Sequence, residues 1–210
     1  MKNKEIFIVA VFVLVSLFIY AIFPTNNNFQ QITTALIFFV SFPIILNHFF
    51  LKRKPEFYGL SFGNWKSGLL WSFFSLVVIS FIFLIYSYYF GFLKNYSVPV
   101  FILNNFWNFM FYEFIVVFLF VLMYEFYFRG FILFVFESRF KYWAILIQAL
   151  IFLVLALSIR DVSLYLLMPY LFFSPFAGLI AIKSKSIIYS LCSQFLIIFF
   201  LDFLVLRMIS

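Results

Sequence analysis

The chain has 210 residues, 67% of them hydrophobic and only 10% charged, with a formal net charge of +7. Soluble domains carry about 25% charged residues, so this composition excludes a water-soluble globule and points to a polytopic membrane protein. Apolar runs without alternation argue against a transmembrane β-barrel, and the single cysteine, Cys192, excludes an internal disulfide and a thiolate metal cluster.

A spanning helix needs ~20 consecutive apolar residues. The first such run is 6–23. Lys2 and Lys4 precede it and no small-residue cleavage site follows, so it is predicted to span rather than to be a cleaved signal. Pro24 and the run Asn26, Asn27, Asn28 form a loop. The second span is 32–51, ended by Lys52, Arg53, Lys54 and Pro55. Residues 56–65, with Gly59 and Gly63, read as a short interfacial turn; Trp65 and Lys66 are headgroup-level anchors. The third span is 68–92, followed by a loop over 94–99.

The run 100–136 is too long for one straight span, because at ~1.5 Å per residue it far exceeds a ~30 Å core. It is predicted to break. Asn104, Asn105 and Asn108 start it at the outer interface, a helix carries Glu113 to Glu125 and Arg129, and the chain bends after Gly130 to lie near the inner interface as far as Arg139 and Lys141. The fifth span is 142–159, closed by Arg160 and Asp161. The sixth, 162–182, contains Pro169 and Pro175, which are predicted to kink it or break it into a partly re-entrant element. Lys183, Ser184 and Lys185 form a tight basic loop before the seventh span, 187–206. The predicted fold is all-α, a transmembrane bundle of about seven spans. Residues 1–55 form an N-terminal two-helix segment and 56–210 the core of one continuous membrane domain.

The basic residues are placed as loop charges, not as a nucleic-acid surface. With the N-terminus inside, Lys2, Lys4, Lys52, Arg53, Lys54, Lys66, Arg139, Lys141, Lys183 and Lys185 fall on the inner side, and Lys94, Arg160 and Arg207 on the outer. Every inner loop then obeys the positive-inside rule, so the N-terminus is predicted to be cytoplasmic. The 39 Phe residues are read as a compositional bias that lipid tolerates, not as a binding surface.

One stretch concentrates the chemistry. In Leu122–Gly130, Glu125 and Arg129 stand four residues apart in otherwise apolar sequence, on one face of a helix and in the order that favours an ion pair. Ionisable groups at bilayer depth are expensive and pair inside the bundle. Glu125 is therefore predicted to be ionised and paired with Arg129.

These residues resemble the CAAX-protease and bacteriocin-processing (CPBP, or Abi) intramembrane proteases. Glu125, Arg129 and Gly130 resemble the latter part of that family's E-E-x-x-x-R motif. The run 149–156 resembles its F-x-x-x-H motif, with Phe152 in place. Residues 178–188 resemble its glycine-containing helix, turn and final helix, and Tyr58, Gly59, Leu60, Trp65 and Lys66 resemble the loop before its third helix. The likeness runs from about Glu56 to the C-terminus. At the catalytic positions the chain departs from the pattern: Tyr124 stands where the family has its first glutamate, Ala156 and Gln194 where it has histidines, and Ile198 where it has an asparagine. In the family these residues are thought to activate water, with metal assistance proposed, and to stabilise an oxyanion. Tyrosine, with a pKa near 10, is a poor base at neutral pH, and alanine can neither accept a proton nor bind a metal.

The only histidine, His48, sits at the inner end of the second span, so no two-histidine metal site exists within one chain. Gln148 and Gln194 are expected to hydrogen-bond near Glu125 and Arg129 as a satisfied polar network. Glu113 with Asn105, Asn108 and Tyr112 is read as part of a hydrated interface rather than as lining an outer polar pocket, and Asp202 could pair with Arg207 or Arg160.

The resemblance implies a catalytically degenerate relative that binds or sequesters a membrane peptide or protein partner in the lipid bilayer, without cofactor and without nucleic acid. The alternatives are an active intramembrane endopeptidase, with zinc and Glu125 in a relocated role, and a small transporter or lipid-handling protein.

Overall fold

The computed structural model describes residues 3–25, 27–96, 98–103, 105–158 and 164–209. Lys2, Asn26, Asn104, Arg160 and Asp161, which figured in the predicted loops, lie outside the described residues. Among the described residues, seven longer helices make up the bundle: α1 (Asn3–Ile22), α2 (Phe29–Leu51), α3 (Trp65–Phe90), α4 (Phe106–Phe140), α5 (Trp143–Ser158), α6 (Leu164–Ser184) and α7 (Ile188–Ile209). Six contain stretches long and apolar enough to cross a membrane, and α5 is a shorter apolar helix. The protein is an integral membrane protein, and its environment is the lipid bilayer.

Two expectations change in detail. The helical backbone does not break after Gly130; α4 runs 35 residues, to Phe140. The break comes earlier, where Asn105 caps α4 by accepting from the Trp107 amide at 2.8 Å. π-helical stretches at Tyr112–Val117 and Glu125–Leu133 interrupt the α-helical backbone of α4, at the kind of site where helices commonly carry function. Pro169 and Pro175 likewise do not make α6 re-entrant, since helical backbone continues through both.

Helix α4 is central. It packs on α1, α2, α5, α6 and α7, while α3 lies beyond, against α6 and α7. One apolar cluster joins α1 and α2 to the C-terminal half of α4 and to α5. A second joins α3, α6 and α7. The N-terminal helices thus share a core with the rest of the bundle.

The loop between α2 and α3 ties the basic end together. Ile187 donates its amide to the Gly59 carbonyl at 3.1 Å, and Asn64 donates to that of Ser184 at 2.7 Å. Gly63 is required here: its φ is +50°, and a Cβ would collide with the Ser184 carbonyl. Tyr58 donates to the Asn47 side chain at 2.6 Å. Burial pushes its phenol up to about 12, against the opposing pull of Arg53, so it stays a donor at neutral pH.

The charge pattern has a structural counterpart. Arg53 pairs with Glu5, Arg139 bonds Asn3, and Lys185 pairs with Glu137. These contacts bring the α1 start, the α2–α3 loop, the α4 end and the α6–α7 turn to one end of the molecule.

Candidate functional site

The π-helical stretch Glu125–Leu133 is buried on almost every side. Glu125, Arg129 and Gly130 are all inaccessible, and a Cβ on Gly130 would press on the Tyr58 carbonyl at 3.1 Å. Arg129 Nε lies 3.4 Å from Glu125 Oε1, with both side chains fully buried. The predicted pair forms, but as a contact between charges rather than a bidentate fork. Arg129 Nη1 and Nη2 have no hydrogen-bond partner among the described residues, and the guanidinium stands 6.0 Å from the Phe152 ring centre, within cation–π range.

The other Glu125 oxygen is held by Ser190 of α7, whose hydroxyl donates to Oε2 at 2.5 Å. The sequence reading missed Ser190. Its signal was its place four residues before Gln194, on the same face of the last helix. Glu125 is thus engaged by a cation on one side and a hydroxyl on the other.

The other positions singled out in the sequence separate. The Tyr124 hydroxyl is hydrogen-bonded to Tyr20 of α1, and its ring lies 5.2 Å from Phe39, 5.8 Å from Phe152 and 5.9 Å from Tyr170. It belongs to an aromatic cluster that continues through Tyr127, Phe128 and Phe131. Phe39, Phe128, Phe131 and Phe152 thus pack as core rings at this level of the bundle. Ala156 is buried in α5, and Ile198 lies in an apolar cluster with Val117, Val121 and Leu191.

The two glutamines do not complete a network around the ion pair. Gln148 turns to α6, where its amide nitrogen, Nε2, donates to the Ser174 carbonyl at 3.0 Å. Gln194 is fully buried, and neither of its amide atoms has a partner among the described residues. The expected satisfied network is therefore replaced by one tight contact, Glu125–Ser190, beside polar atoms left without protein partners among the described residues.

Away from this centre, Glu113 is fully buried rather than at a hydrated interface. It interacts with Asp202 of α7, and Asp202 accepts from the Tyr96 hydroxyl at 2.6 Å. Burial and the adjacent Asp202 hold the Tyr96 phenol well above its usual range. Asn108 turns to the Phe101 carbonyl. His48 is exposed at the end of α2, edge-on to Phe49.

Residues 105–200 match the family model described as "Rce1-like: Type II CAAX prenyl endopeptidase Rce1-like". This segment is Rce1-like. The family resemblance read in the sequence is borne out over it, and it contains Tyr124, Glu125, Arg129, Ala156, Gln194 and Ile198. The α1–α2 pair and the loop at Tyr58–Trp65 lie outside the Rce1-like match. No curated protein and no solved structure matches the chain.

Proposed function

We propose that this Rce1-like membrane protein is a non-catalytic relative of the CAAX-type endopeptidases, which binds or sequesters a membrane peptide or protein partner. The observation that carries the reading is the engagement of its one motif carboxylate, Glu125, by Arg129 and Ser190 in a fully buried setting. A general base must reach water and the scissile carbonyl. Here the carboxylate faces a guanidinium and a hydroxyl, and Tyr124 is turned into an aromatic cluster.

The metal proposed for the family does not fit these residues. Among the described residues, no three of the His, Cys, Asp or Glu side chains come together, and a guanidinium already lies against Glu125. Ala156 and Gln194 offer no imidazole.

Orientation completes the proposal. The gathering of basic residues at one end supports a cytoplasmic N-terminus. Tyr124 is only half-buried and marks the position for a test of binding. A photoreactive residue at 124 in membranes of the native host should give a discrete peptide or protein adduct, lost when excess unlabelled partner is supplied. Adducts to lipid alone would favour a lipid-handling protein.

A further inference from the structure

A pocket of about 550 Å³ opens at the end of α2, lined by Asn47, His48, Phe49, Lys52 and Arg53. We propose that it is a binding site for the phosphate group of an anionic phospholipid. The inference is independent of the role of Glu125.

The pocket is shaped by local sequence. The last turn of α2, Asn47–Leu51, is π-helical, and Lys52 closes it in the left-handed conformation with φ 51°. Asn47 pins the chain just beyond this turn: its side chain donates to the Arg53 carbonyl and accepts from the Arg53 amide, each at 2.9 Å. These contacts hold Lys52 and Arg53 beside His48 rather than letting the loop fray.

The donors are incompletely used. Arg53 gives Nη2 to Glu5 at 3.0 Å, and its guanidinium stands 5.5 Å from the Phe57 ring centre, but its buried Nε has no partner among the described residues. Lys52 is exposed, and among the described residues no carboxylate lines the pocket. Lys52, Arg53 and the His48 imidazole therefore line one volume, which suits a phosphate with several acceptor oxygens.

Position decides between sources of phosphate. The pocket sits at the end of a 23-residue apolar helix, at headgroup depth, on the end where the basic loops gather. Phe49 is both a wall of the pocket and 65% exposed, and Phe50 beside it is equally exposed. A lipid seated here places its phosphate on Lys52 and Arg53 and its acyl chains along these rings, whereas free phosphate gains nothing from the apolar wall. Basic pockets at the ends of transmembrane helices recognise anionic headgroups in this way.

The test uses the full chain, delipidated in neutral detergent and examined by native mass spectrometry with phosphatidylglycerol, phosphatidylcholine or inorganic phosphate. Phosphatidylglycerol should be retained in preference to phosphatidylcholine. The double variant His48→Gln/Lys52→Gln should lose about fivefold or more in phosphatidylglycerol affinity with the melting temperature unchanged. Lys94→Gln, at the opposite end, should bind as wild type does. Equal retention of the two lipids, or equal losses in the double variant and in Lys94→Gln, overturns the site. Displacement of the lipid by an equimolar amount of inorganic phosphate overturns the lipid as its occupant.

Discussion

Glu125 and Arg129 form a pair whose members depend on each other. Removing one partner leaves the other charged and buried, which costs about 3–5 kcal/mol, whereas replacing both by apolar residues of similar volume removes the desolvation burden as well. Glu125→Ala and Arg129→Ala should each lower the melting temperature in detergent markedly, and Glu125→Leu/Arg129→Met should be milder than either. Ser190→Ala tests the second contact. It strips Glu125 Oε2 of its donor and should cost about 1–3 kcal/mol, an effect that disappears in the Glu125→Leu/Arg129→Met background. If Ser190→Ala is neutral in the wild-type chain, the 2.5 Å contact does not hold the carboxylate.

At the scale of elements, the α2–α3 loop and the α6–α7 turn act as one clasp. Gly63→Ala forces a Cβ into the Ser184 carbonyl at a positive φ, so destabilisation of about 1–3 kcal/mol should result, read from detergent melting curves. The same clasp gathers the basic loops, and the side of the membrane on which it lies is open to direct labelling. In a Cys192→Ser background, a cysteine at Lys54 should resist a membrane-impermeant label added outside intact cells, and one at Asn27 should react. Outside labelling at 54 contradicts a cytoplasmic N-terminus. The spans were legible in the sequence because apolar length is a direct demand of the bilayer. The backbone of α4 was not legible. Backbone π-helical stretches leave no mark in residue type, and the bend expected after Gly130 gave way to continuous helix. At the prolines of α6 the expected break did not occur, since neighbouring helices can satisfy the freed carbonyls in a membrane.

For the whole molecule, the site was only half legible. The i,i+4 spacing of Glu125 and Arg129 predicted their contact, because a helix brings such positions together whatever surrounds it. Ser190, Tyr20 and the rings of Phe39, Phe152 and Tyr170 come from other helices, and only the packing of α1, α2, α5, α6 and α7 on α4 brings them in. That packing bears on function. An enzyme of the CAAX type would need a base free to activate water, and loss of a general base alone removes about 10²–10⁴ in rate. The most direct measurement is hydrolysis of prenylated CAAX peptides, and of a broad peptide library, by the purified chain in lipid, with and without zinc, alongside Glu125→Gln. Wild type should show no cleavage above the Glu125→Gln protein in either condition. Cleavage by wild type that Glu125→Gln abolishes would contradict the account and make this chain a working endopeptidase.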